Sequence, residues 1–229
     1  MKTIGLLGGM SWESSALYYR LINEGVRDRA GGFHSAPLVM SSVDFAVIEE
    51  MQGRAAWDEA GTLLAREASA LEGAGAECIV LCTNTMHKVA DAITAAISVP
   101  LVHVVDVTAE AISAAGLTTV ALLGTRFTME EPFYAERMAA HGIEVMAPDA
   151  EERRLVNDVI YGELVRGVLR DESRTAYRTV IANLVDRGAQ GVILGCTEIE
   201  LLVGPADSPV PCFPTTRLHA AAAVDFALS

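Results

Sequence analysis

Lysine is nearly absent from this chain: of 17 basic residues, only Lys2 and Lys88 are lysines. A pyridoxal-phosphate (PLP) enzyme needs a Schiff-base lysine, so no PLP is expected. Basic charge as a whole is scarce. Seventeen Lys and Arg against 30 Asp and Glu leave a formal net charge of −13 over 229 residues. Nucleic acid and anionic membrane surfaces both require a basic footprint, so neither is an expected partner. An anionic ligand would have to be held by local donors. No apolar run approaches the ~18 residues needed to cross a bilayer. The opening stretch Met1–Gly9 has too few apolar residues for a signal peptide and reads as a first strand. Cys78, Cys82, Cys196 and Cys212 show no CxxC spacing, which argues against a disulfide framework and for free thiols in a cytoplasmic protein. The nucleotide fingerprints GxGxxG and GxxxxGK[ST] are missing. Gly8-Gly9-Met10-Ser11 therefore reads as a tight turn with Ser11 as helix cap, and no nucleotide cofactor is expected.

What is present is a repeated pattern. Thr3-Ile4-Gly5-Leu6-Leu7-Gly8 returns as Thr119-Val120-Ala121-Leu122-Leu123-Gly124. Gly75–Thr83 returns as Gly188–Thr197 with one extra residue, and Val99-Pro100 returns as Val210-Pro211. Three blocks in the same order indicate an internal duplication. The runs Thr3–Leu7, Cys78–Leu81, Val120–Leu123 and Val192–Leu194 are short and continuously apolar, as buried parallel strands are. Between them, Thr62–Leu71 carries Leu63, Leu64, Ala68 and Leu71 on one helical face. Tyr177–Asp186 does the same with Val180, Ile181, Leu184 and Val185. The expected fold is α/β, with two pseudo-symmetric lobes, each a parallel sheet flanked by helices. The boundaries expected are 1–98 plus 209–229 for the lobe holding Cys82, and 99–208 for the lobe holding Cys196. The active site is expected between the lobes, at the carboxyl ends of the strands.

The cysteines divide by position. Cys78 lies within a strand and Cys212 near one, where free cysteines serve the core. Cys82 and Cys196 end equivalent strands of the two repeats, each followed by threonine. A pseudo-twofold axis would set the two thiols facing each other. Thr197 and Glu200 have capping-box spacing, which predicts a helix starting beside Cys196. A helix start favours a thiolate, and moving a thiol from about 8.5 to about 7 takes only ~2 kcal/mol. Two opposed thiols suit inversion of a carbon stereocentre, one removing a proton as the other supplies one. Asn84, Thr85, Thr197 and backbone N–H groups at helix starts would stabilise the developing charge.

Cys82-Thr83-Asn84-Thr85-Met86-His87 together with Gly195-Cys196-Thr197-Glu198-Ile199 resembles the aspartate/glutamate racemase family, the cofactor-independent two-cysteine amino-acid racemases. Ile4–Ser14 and Leu122–Met129 are similar to the same family, and the likeness runs over essentially the whole chain, closest to its broad-specificity branch. The resemblance implies a small-molecule amino-acid substrate and Cys82 and Cys196 as paired acid and base. By motif position it also implies a substrate site of Met10, Gln52, Thr83, Asn84, Thr85, Thr125, Thr128, Thr197 and Glu198. Homodimers are common in the family. Aspartate-specific relatives carry basic side chains near positions where this chain has Ile48 and Leu164, so a broader set of amino acids is expected, with aspartate or glutamate as the narrower alternative.

His87, one turn past the first cysteine, could tune Cys82 or bond locally. His34, His103 and His141 read as structural. Cys82, His87, Cys196 and His219 match no zinc spacing, so no metal is expected. Two alternatives stand beside the racemase. One is a related enzyme, a hydantoin racemase or a maleate isomerase, the latter using a cysteine as covalent nucleophile. The other is a two-lobed amino-acid-binding protein without chemistry.

Overall fold

The computed structural model describes residues 1–229. In the first half, β1 (Ile4–Gly8), α1 (Trp12–Ala30), β2 (Leu38–Ser42), α2 (Phe45–Gly53), α3 (Trp57–Gly73) and β3 (Cys78–Leu81) follow one another. A 3-10 turn over Thr85–Val89 then leads to α4 (Ala90–Ala96) and β4 (Leu101–Val102). The second half opens with α5 (Val104–Ala114), β5 (Thr119–Gly124), α6 (Arg126–Glu130) and α7 (Pro132–Ala140). It continues with β6 (Glu144–Met146), α8 (Ala150–Gly162), α9 (Asp171–Asp186), β7 (Val192–Gly195) and α10 (Ile199–Leu202), and closes with β8 (Cys212–Pro214) and α11 (Thr215–Leu228). No helix is long and apolar enough to cross a membrane.

The strands form two four-stranded parallel sheets, ordered β2-β1-β3-β4 and β6-β5-β7-β8. Both sheets place their strands in the same relative order, as a duplication predicts. The chain divides into two units, Met1–Val104 with His219–Ser229, and Val105–Leu218. Both crossings fall later than the 98/99 and 208/209 boundaries expected from the sequence. The reason is strand pairing: β4 pairs with β3 and β8 with β7, so each short Val-Pro strand completes the sheet of its own half.

β1 and β3 are apolar throughout because helices cover both faces of the first sheet. One face packs Ile4, Leu6, Cys78 and Val80 against Tyr18, Ile22 and Val26 of α1 and Ala220, Ala223, Val224 and Ala227 of α11. The other packs Leu7, Ile79 and Leu81 against Leu64, Ala68 and Leu71 of α3 and Ile93 of α4. The spacing of Tyr18, Ile22 and Val26 at i, i+4 and i+8 puts all three on one helical stripe. Each fully buried side chain of this size contributes about 1.5–3 kcal/mol. Cys78 sits wholly in this core, and loss of water pushes its thiol up to about 12.

Candidate active site

In the first unit the site is built where β1 and β3 end together. Leu7 lies opposite Leu81, so Gly8 and Cys82 follow side by side. The Cys82 N–H donates to Leu7 O at 2.9 Å. Its carbonyl accepts from Ser14 Oγ at 3.2 Å, and the next carbonyl, of Thr83, accepts from His87 Nδ1 at 2.7 Å. The approach of α1 depends on Gly8 and Gly9. A Cβ on Gly8 would lie 2.3 Å from Ser15 Oγ, the atom that accepts the Gly9 N–H at 2.8 Å and donates to Ser11 O at 2.9 Å. Gly9 has φ +93°, a conformation that disfavours any Cβ. Ser11 caps α1 as expected, accepting from Ser14 N at 3.2 Å.

The Cys82 thiol is fully buried and directs its hydrogen at Val80 O, 3.6 Å away. Burial raises it far above the ordinary thiol range. Other residues of the expected substrate site lie in the same unit. Gln52 is buried and donates its amide to Met86 Sδ at 3.0 Å. Met10 is buried in the core face that also holds Leu7 and Ile48, and Thr83, Asn84 and Thr85 form the turn after β3.

The second unit repeats the plan. Gly124 of β5 pairs with Gly195 of β7, so Thr125 and Cys196 leave adjacent strand ends. Thr125 caps α6, accepting from Thr128 N at 3.4 Å with its hydroxyl 3.2 Å from Thr128 Oγ1. Cys196 is partly buried and donates its thiol hydrogen to Glu198 Oε2 at 2.9 Å. Thr197 Oγ1 lies 3.1 Å from Thr216 Oγ1, at the start of α11.

Two expectations about this loop need correction. The capping box does not form: Glu198, not Thr197, is the N-cap of α10 and makes no side-chain cap bond. Thr197 turns instead to Thr216, and Glu200 is taken by Arg217, whose Nε donates to it at 3.1 Å. Nor is the Cys196 thiol lowered. The N–H groups of Glu198 and Ile199 do favour the thiolate, but burial and the Glu198 carboxylate outweigh them and raise the thiol well above its ordinary value. A helix start stabilises charge only through its free amides, whereas a carboxylate in hydrogen-bond contact opposes a second negative charge directly.

Several positioning groups were not legible in the sequence. Ser14 ends the opening block Ile4–Ser14, but its bond to Cys82 O has no sequence signal, because it forms only after α1 folds back onto β3. Thr216 and Tyr18 are similar cases: the Tyr18 hydroxyl meets His219 Nδ1 at 2.9 Å across 201 residues. His141 bonds Asp106 at 3.0 Å beside the paired Arg137 guanidinium. No group of three or more His, Cys, Asp or Glu gathers in a metal-holding arrangement.

Comparison with known proteins follows the same outline. The family model for Asp/Glu/hydantoin racemases matches residues 7–223. A Yersinia pestis protein assigned as an Asp/Glu racemase is 53% identical with a TM-score of 0.95, over 100% of both chains. An aspartate racemase homologue from Pyrococcus horikoshii is 34% identical with a TM-score of 0.88, again over 100% of both chains. The broad-specificity amino-acid racemase RacX of Bacillus subtilis is 25% identical over 67% of this chain and 66% of its own length. With the family model covering nearly the entire chain, and two cysteine loops at matched ends of two like sheets, the protein belongs to the Asp/Glu/hydantoin racemase family.

Proposed function

We propose that the protein is a cofactor-independent amino-acid racemase of broad specificity, with Cys82 and Cys196 as the acid–base pair on opposite faces of the substrate α-carbon. One observation carries this reading: each cysteine follows the third-placed strand of its own four-stranded sheet, beside the end of the second-placed strand, in two units of the same strand order. Duplicated structural cysteines would have no reason to sit at the ligand-binding end of both sheets.

Both thiols are held protonated by their surroundings, so turnover needs one proton removed before the α-proton can be taken. Glu198 is the acceptor in reach of Cys196. Proton transfer from Sγ to Oε2 leaves a thiolate beside a neutral carboxyl. The thiolate removes the α-proton from one face, its electron pair passing into the substrate carboxylate as an enediolate. The Cys82 thiol then returns a proton to the opposite face, leaving Cys82 as thiolate, Cys196 as thiol and Glu198 protonated. Exchange with solvent after product release returns one proton to Cys82 and removes one from Glu198, restoring the starting state. The reverse direction exchanges the roles. Each acid–base group contributes roughly 10²–10⁴-fold. Thr83, Asn84 and Thr85 in one unit, and Thr125, Thr128 and Thr197 in the other, hold the carboxylate and ammonium groups, with Met10 and Gln52 lining the side-chain space.

Broad specificity rests on the residues at the two positions where the resemblance would put basic side chains in an aspartate-specific enzyme. Ile48 and Leu164 are both buried apolar residues. Arg54 pairs with Glu50 at 3.4 Å and Glu59 at 3.5 Å. A distal carboxylate without a guanidinium or ammonium partner gains little in so acidic a protein.

The deciding experiment is proton NMR of a pool of L-amino acids in D₂O with purified protein and reduced thiols. Loss of several neutral α-proton signals is the expected result. Exchange of aspartate or glutamate alone overturns broad specificity. A stable covalent adduct with no exchange points to isomerase chemistry. Binding without exchange overturns the racemase altogether.

A further inference from the structure

We infer that His87 is a positioning residue for Cys82, acting as a neutral imidazole that carries its hydrogen on Nδ1 and clamps the turn after β3 to the first residue of α5. The inference rests on Cys82 being one of the two proton-transfer groups.

The hydrogen bonds determine the tautomer. The Thr83 carbonyl can only accept, so the 2.7 Å contact requires a hydrogen on His87 Nδ1. The Val104 amide donates to Nε2 at 3.2 Å, which requires a lone pair there. One ring thus spans two backbone groups 21 positions apart in sequence, Thr83 O and Val104 N. It is buried, so both bonds form away from competing water. Protonation, or the opposite tautomer, would leave the Val104 N–H facing another N–H.

The surroundings hold this state. The His103 ring packs edge-on at 4.5 Å and the His219 ring at 5.8 Å. His219 takes the other tautomer, because its Nε2 donates to Val102 O at 2.7 Å while Nδ1 accepts from the Tyr18 hydroxyl. Burial lowers its pKa to about 4, so it too stays neutral. Val102 and Val104, two residues apart, are therefore gripped by two imidazoles of opposite tautomer. On the other side of His87, consecutive carbonyls are gripped as well, Cys82 O by Ser14 and Thr83 O by His87. Cys82 has backbone ties on both sides of its thiol, and His87 supplies the one that joins this turn to the start of α5. Proton transfer falls steeply with misplacement of the donor, so this clamp bears on rate more than on binding.

The test uses the full chain with His87→Asn and His87→Gln. Asparagine can keep the Nδ1-side donor to Thr83, and glutamine can keep the Nε2-side acceptor for Val104; neither spans both. With folding verified by circular dichroism and melting, each variant should lose between about 10- and 100-fold in kcat with KM within a few-fold. Deuterium exchange with the enantiomer served by Cys82 should fall further than exchange with the other. Nitrogen-15 spectra of the wild-type histidines should show one Nδ1–H ring assigned to His87, a reading that needs no turnover. Wild-type rates in both variants, equal losses for the two enantiomers, or an Nε2–H spectrum for His87 overturns the inference. Failure of the racemase reading shows separately, as absence of exchange in the wild-type protein.

Discussion

The thiol of Cys196 and the carboxylate of Glu198 form a 2.9 Å hydrogen bond within a single turn of chain. Glu198 thereby does two opposed things. It raises the thiol well above its ordinary range, and under the proposed mechanism it is the acceptor for the thiol proton.

Replacement of Glu198 by glutamine separates those effects. Without the carboxylate the Cys196 thiol titrates at lower pH, so the midpoint of its iodoacetamide alkylation profile should move down. Racemisation should nevertheless fall by roughly 10²-fold, since no acceptor remains for the proton. An alkylation midpoint that stays in place, or moves up, would contradict the electrostatic role assigned to Glu198.

Cys82→Ser and Cys196→Ser should each abolish racemisation, with losses on the order of 10²–10⁴-fold or more, because a hydroxyl is a far weaker acid than a thiol. α-Proton exchange with one enantiomer should survive in each variant, and the surviving enantiomer should differ between them. The measurement is deuterium incorporation into purified L- and D-substrates. Full activity in both variants would remove the thiols from the mechanism.

Glu200 predicts a pH dependence of stability. Burial raises its carboxyl from 4.5 to about 7, with Arg217 opposing, and one of its oxygens is buried without a hydrogen-bond partner. The folded state therefore keeps a proton that the unfolded chain releases near 4.5. Stability from this group is greatest below the unfolded pKa and declines as pH rises towards about 7. Glu200→Gln should flatten the melting temperature between those two values. A variant that retains the wild-type slope would assign it to other groups.

Gly8→Ala tests the close approach of α1 to the Cys82 strand. Its Cβ would stand 2.3 Å from Ser15 Oγ, and relief requires moving the hydroxyl that holds the Gly9 N–H. Destabilisation of about 1–3 kcal/mol is expected, together with a loss of kcat larger than that of Gly73→Ala, where nothing lies within 4 Å of the added carbon. Chemical denaturation and steady-state rates read the two effects. Unchanged stability would mean that the turn relaxes freely.

Much of this protein was legible in its residue order. Parallel strands buried on both faces must be apolar throughout, and four such runs stand out in the chain. The duplication was visible because matched strands and their Cys-Thr ends recur in the same order. Short Val-Pro strands were harder to assign, since a two- or three-residue run carries no periodicity and its sheet depends on which neighbour offers hydrogen bonds. The capping spacing of Thr197 and Glu200 misled for a related reason: each side chain found a stronger partner in α11, distant in sequence.

The sequence by itself determined the fold class, the two equivalent cysteine loops and the family, because these depend on local pattern and spacing. Only the tertiary structure decided the protonation preference of Cys196, the opposite tautomers of His87 and His219, and the tie from Ser14 to the Cys82 carbonyl. Those depend on burial and on partners brought together by folding. A titratable group or a ring nitrogen takes its state from the atoms around it, and the sequence names those atoms without saying which will meet.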